Sequence, residues 1–146
     1  MNHPPFVIEK TVNATPDRVW SAITDPVKMK QWYFDIKGFG LEPGTEFTFS
    51  GYNAEKNHTY VHLCRVIEVI PQKKLSHTWR YEGFPGDSTV TWELFEENGK
   101  TRVKLTHEGI ETFKGEIHPE LAFHNFERGW TQIVTINLEK YLSENN

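Results

Sequence analysis

The chain has 146 residues, a mass of 17.1 kDa and a formal charge of −4. That length predicts one domain over residues 1–146, since a chain of about 150 residues can bury roughly 68–70% of its unfolded surface. Hydrophobic residues at 37%, charged residues at 25% and a mean hydropathy of −0.60 exclude a disordered or membrane-embedded chain. The longest apolar runs, such as Phe6-Val7-Ile8 and Trp32-Tyr33-Phe34, have three residues. A spanning helix needs about 20, and a secretory leader about 7–15 near the start. The expected setting is therefore the cytoplasm, with no membrane contact. No block of Lys and Arg offers phosphate neutralisation, so nucleic acid is not an expected partner. The single Cys64 excludes an internal disulfide and a multi-cysteine metal site, and reads as a small buried hydrophobe. Five Trp, five Tyr and ten Phe are the unusual feature: they imply a bulky core or a lined cavity.

Phe6 to Asn13, rich in β-branched residues, predicts a first strand. Thr15, Pro16 and Asp17 then form a helix start, with Thr15 as N-cap, and Val19, Trp20 and Ile23 give one apolar stripe. Asp25-Pro26 ends that helix, and Val27 to Gln31 can add a second short one. From residue 33 to 108 the period falls to two. Thr45–Ser50, Tyr60–Ile70, Leu75–Tyr81, Val90–Leu94 and Val103–His107 read as strands. Tyr60–Ile70 is apolar on both parities, which leaves its faces unassigned and allows a bulge. Asn98-Gly99 is a hairpin signal. After Gly109 the pattern stops, and Phe113 stands alone among polar groups. The helical period returns from His124 to Ser143, with Phe126, Trp130, Ile133, Val134, Asn137, Leu138 and Tyr141 on one stripe. Trp130 is expected at the buried centre of one continuous helix.

This order predicts an α+β fold in which a curved antiparallel sheet wraps around the long C-terminal helix. A gap between helix and sheet is where a small ligand would sit. The segment from Asn13-Ala14-Thr15-Pro16-Asp17 through Val19-Trp20, Ala22 and Thr24-Asp25-Pro26 resembles the opening of the START-like, helix-grip superfamily. The branch it resembles is that of the activator of heat-shock protein 90 ATPase. Gln31-Trp32, Glu68-Val69, Leu75, Thr78-Trp79, Val103 to Gly109 and Gly129-Trp130 extend the similarity in family order. The resemblance implies a hydrophobic cavity between sheet and helix and no fixed cofactor.

The candidate cavity wall is Trp32, Phe47, Phe49, Trp79, Tyr81, Trp92, Trp130 and Val134, with ordinary core packing as the alternative for each. Phe113 reads either as a lid residue or as a surface aromatic. His77 and His107 share the inward parity of Trp79 and Leu105. Each reads as a hydrogen-bond donor to a ligand, a general base or a satisfied core histidine. Lys10 and Glu68 are a candidate inward pair. His58 and His62 stand four apart in or beside a strand, about 13 Å, too far for one ion. No metal site and no catalytic residue is expected.

The functional expectation is a non-enzymatic module that holds a small hydrophobic or aromatic molecule. The alternatives are a chaperone-associated protein that contacts a heat-shock protein 90 type ATPase, and a polyketide cyclase or dehydratase. A monomer or weak homodimer is expected.

Overall fold

The computed structural model describes residues 4–145. β1 (Phe6–Val12) is followed by α1 (Pro16–Thr24) and α2 (Pro26–Trp32). β2 (Glu46–Asn53), β3 (His58–Ile70), β4 (Lys74–Tyr81), β5 (Ser88–Glu97) and β6 (Lys100–Glu108) then run as an antiparallel meander. β1 closes the sheet by pairing antiparallel with β6, giving the order β1-β6-β5-β4-β3-β2. Short 3₁₀ turns at Ile110–Phe113 and Pro119–Leu121 lead into the C-terminal helix. That helix comprises α3 (Phe123–Thr131), a π-helical stretch (Gln132–Asn137) and α4 (Leu138–Glu144) without interruption. The expected α+β helix-grip architecture is the one observed.

Thr15 occupies the N-cap of α1, and its carbonyl accepts from Val19 N, but its side chain makes no cap bond. Asp25 does the capping that Thr15 does not: its carboxylate accepts from Val27 N at 3.0 Å, and Pro26 opens α2. Asn98 and Gly99 both have positive φ, as a two-residue I′ hairpin requires. β3 carries the bulge that its mixed parity allows. Its register against β4 shifts between Val66 and Glu68. Before the shift Tyr60, His62, Cys64 and Val66 face the core, while Ile67 and Glu68 beyond it are exposed.

The π stretch has a reason in the sequence. The buried stripe of the C-terminal helix is Phe126, Trp130, Val134, Leu138 and Leu142, spaced four apart throughout. At 3.6 residues per turn each such step advances about 40°, so an ideal helix would drift about 160° off the sheet over four steps. A wider i→i+5 turn in the middle takes back part of that rotation and keeps the stripe inward. The far end is anchored by Arg18 of α1, which donates to the Leu142 carbonyl at 2.8 Å, a cation on the negative end of the helix.

Two expectations fail here. Lys10 and Glu68 do not pair: Lys10 reaches Glu139 at 3.0 Å, and the exposed Glu68 reaches Lys74 at 2.7 Å. β1 lies at the opposite edge of the sheet from the β3 hairpins, so no shared face brings the two together. Phe113 is neither a lid nor a surface aromatic. It is fully buried, stacked on Phe126 and edge-on to Tyr81. Gly86 (φ +104°) is what lets the 83–87 loop close over it, because a Cβ there would lie 2.6 Å from the Phe113 ring.

Candidate functional site

The inward rows of the sheet and the C-terminal helix enclose a dense aromatic layer. β2 presents Phe47 and Phe49, β3 His62, β4 His77, Trp79 and Tyr81, β5 Trp92, and the helix Phe126 and Trp130. Cross-strand pairing sets their rows: Phe49 lies opposite His62, and His62 opposite Tyr81. Trp130 sits over the middle, with its ring near those of Tyr33, Trp79, Trp92 and His107.

His107 is completely satisfied. The Trp130 indole N–H donates to His107 Nδ1 at 3.0 Å. An indole nitrogen only donates, so Nδ1 is bare and Nε2 carries the proton. Nε2 then donates to Ser88 Oγ at 2.8 Å, and Ser88 donates to the Trp79 carbonyl at 2.6 Å. Burial lowers the His107 pKa to about 3, with the nearby His77 adding to the effect. His77 donates from Nδ1 to the Thr78 carbonyl at 2.8 Å, and burial lowers its pKa to about 4. Both rings are neutral near pH 7, with their protons committed to core bonds. Cys64 is buried, and burial pushes its thiol up, so it is an inert packing residue.

A cavity of about 190 Å³ opens between β3, β4 and the first turns of the C-terminal helix. Trp79, Tyr81 and Trp130, expected in a cavity wall, line it. Trp32, Phe47, His77 and Trp92 instead surround a separate void of about 10 Å³, room for one water at most. Phe49, His107, Phe113 and Val134 line neither space and are buried in the core. Sequence reasoning missed Phe34, His62 and Gly129, which also line the cavity. Phe126 and Ile133 were legible as stripe residues, but their role in the wall was not.

His62 donates from Nδ1 to the Phe49 carbonyl at 3.1 Å, and its ring stacks on Phe49. Burial lowers its pKa to about 4, against the pull of the Phe49 and Tyr60 carbonyls. The neutral ring therefore keeps Nε2 as an acceptor. Two buried polar atoms have no partner among the described residues, Trp79 Nε1 and the Tyr33 hydroxyl. Trp79 Nε1–H stands beside the Tyr81 hydroxyl, close enough to oppose the rise that burial gives that phenol, yet outside hydrogen-bond geometry. A buried donor left unpaired costs about 1–3 kcal/mol.

The cavity's mouth is polar. Glu120, Asn125 and Gly129 line both it and a wider groove that continues past Lys56, His124 and Arg128. The Tyr60 hydroxyl donates to Glu120 Oε2 at 2.8 Å. Burial, helped by that carboxylate, pushes the Tyr60 phenol up to about 12. Gly129 is a helix-interior glycine with nothing within 4 Å of where a Cβ would stand. Gly129→Ala is therefore expected to stabilise the fold by about 0.5–1 kcal/mol, the helix-propensity gain alone, measured by denaturant unfolding. Among the described residues no group of three or more His, Cys, Asp or Glu side chains could hold a metal ion. No described helix is long and apolar enough to cross a membrane.

The sheet, grip and helix recur in solved structures. Protein MLL2253 from Mesorhizobium loti is 24% identical over 97% of this chain and 98% of its own, with a TM-score of 0.78. CalU16 from Micromonospora echinospora is 27% identical over 94% of this chain and 73% of its own, with a TM-score of 0.74. Protein CV1439 from Chromobacterium violaceum is 19% identical over 93% of this chain and 94% of its own, with a TM-score of 0.79. These likenesses establish the fold. No curated protein matches the chain significantly. The family described as Activator of Hsp90 ATPase homolog 1-like protein matches residues 13–143, which takes in both short helices, the meander and nearly all of the C-terminal helix. The chain belongs to that family, within the START-like helix-grip superfamily.

Proposed function

We propose that this protein is a non-enzymatic binding module for a small apolar or aromatic molecule, held between the sheet and the C-terminal helix. The observation that carries this reading is the cavity of about 190 Å³, walled largely by aromatic rings and open at a polar mouth. An apolar cavity of about 150 Å³ is enough to take up benzene, so the space suits one substituted ring. The buried histidines favour binding over acid–base catalysis. A general base needs a pKa near the working pH and a free nitrogen within about 2.6–3.2 Å of the proton it takes. His77 and His107 are neutral through burial, and both His107 nitrogens are engaged.

The test is a panel of single-ring arenes, with toluene, p-xylene and phenol as members. Ligand at about ten times its Kd should stabilise the fold by about 1.4 kcal/mol. It should also shift the Trp emission through Trp79 and Trp130, which line the cavity. If no member changes either signal, the binding reading falls. The family description favours a second reading, contact with an Hsp90-type ATPase. That reading requires this protein to raise the turnover of a purified Hsp90-type ATPase with no small molecule added. A rise in turnover combined with no arene binding replaces the first reading with the second.

A further inference from the structure

The cavity wall is chemically uneven. Apart from Asn125 at the mouth, its helix side is apolar or without a side chain: Phe126, Trp130, Ile133 and Gly129. Its sheet side carries three aromatic side chains with polar atoms, His62, Trp79 and Tyr81. The ring centroids of His62 and Trp79 are 4.9 Å apart, and those of His62 and Tyr81 4.7 Å apart. Despite that proximity, none of these side chains hydrogen-bonds to another among the described residues. Trp79 Nε1–H is a buried donor with no partner, beside the Tyr81 hydroxyl. His62, with Nδ1 committed to the Phe49 carbonyl, has Nε2 left as an acceptor. The sheet wall thus carries donors and an acceptor on three neighbouring rings.

The smallest group that accepts and donates at one atom is a hydroxyl. A carboxylate is a poor fit, because no Lys or Arg lines the cavity. Moreover, the Glu120 carboxyl at the mouth is held below its usual range by its own backbone amide and the Tyr60 hydroxyl, despite partial burial. A buried charge without a partner is expensive. Resting on the binding reading above, we infer that the cavity takes a neutral single-ring phenol. The phenol oxygen accepts from the Trp79–Tyr81 pair and donates to His62 Nε2. Its ring lies against Phe126, Trp130 and Ile133 of the helix, and a para substituent is directed to the mouth beside Gly129.

The experiment is calorimetric or fluorimetric titration of the wild-type protein at pH 7 with phenol, p-cresol, toluene and benzoate. Toluene replaces the hydroxyl of phenol with a methyl group of similar size, so the pair isolates the hydrogen bonds. Each net bond contributes about 0.5–1.5 kcal/mol, so phenol and p-cresol are expected to bind at least about tenfold more tightly than toluene. Benzoate is expected to bind more weakly than phenol. Tyr81→Phe and His62→Phe keep a ring in place, and each should bring phenol down towards the toluene affinity while leaving toluene within about threefold of wild type. Toluene binding as tightly as phenol, or benzoate binding more tightly, overturns the phenol assignment and leaves the binding module standing. Binding of none of the four, together with a silent arene panel, overturns both. The wild-type comparison decides the matter even if either variant fails to fold.

Discussion

Trp130→Ala is expected to cost about 3–5 kcal/mol, the range for truncating a large aromatic in a packed core. Trp130 is 3% exposed, and its ring lies near those of Tyr33, just past α2, and of Trp79, Trp92 and His107 in the sheet. Its indole N–H is also the one hydrogen-bond partner of His107 Nδ1 among the described residues. Trp130→Phe separates the two contributions. It keeps most of the ring contacts but strands a buried acceptor, at about 1–3 kcal/mol. Equilibrium urea unfolding of the three proteins measures both steps. A loss below about 1 kcal/mol for the alanine variant would mean that the helix does not grip the sheet through this residue.

Acid is expected to unfold the protein steeply between about pH 6 and 4. His62, His77 and His107 have folded-state pKa values lowered to about 4, 4 and 3, each chiefly by burial. In the unfolded chain a histidine titrates near 6.5. Above that pH both states are neutral and the stability is fully present. As the pH falls, the unfolded chain binds protons that the folded core refuses, so stability is lost until the folded values are reached. Each such proton is worth about 1.36 kcal/mol per pH unit, so three give a slope near 4 kcal/mol per unit. For a stability of about 5–9 kcal/mol, in the lower half of the typical range, the transition falls between about pH 5.3 and 4. Circular dichroism from pH 7 to 3.5, with urea unfolding at each pH, measures the slope. His77→Phe should reduce it by about one third, whatever it does to the absolute stability. A slope of one proton or fewer between pH 6 and 5 would mean that these histidines are not held neutral inside.

His62 shows where local reading stops. Its strand is apolar on both parities, because the bulge between Val66 and Glu68 changes the register part-way along. The facing of His62 is therefore set by pairing with β2 and β4, not by its neighbours in sequence. In the sequence His62 stood out only for its spacing from His58, too long for one ion, whereas in the fold it is 6% exposed and stacked on Phe49. Phe113 fails for a related reason: its burial depends on the 83–87 loop, which crosses it only because Gly86 takes a positive φ. His77 and His107 are the reverse case, since simple alternation with Trp79 and Leu105 already placed them inward.

The amino-acid sequence by itself determined the element order, the antiparallel meander, the Asn98-Gly99 hairpin and the long C-terminal helix. All of these are set by interactions a few residues long: side-chain period, helix starts and turn chemistry. Within that helix the expected stripe also held Ile133, Asn137 and Tyr141; the fully buried set at four-residue spacing, Phe126, Trp130, Val134, Leu138 and Leu142, and the wider turn that goes with it, were decided by packing on the sheet. Only the tertiary structure decided which aromatics pack solidly and which face open space. Phe47 and Trp92 border a void of about 10 Å³, while Trp79, Tyr81 and Trp130 border one of about 190 Å³. All five share the inward face, so parity cannot separate them. The difference lies in what covers each row: Ile23, Met29, Trp32 and Ile36 of the short-helix region fill the space beside Phe47 and Trp92, while the first turns of the C-terminal helix leave a gap beside Trp79 and Tyr81.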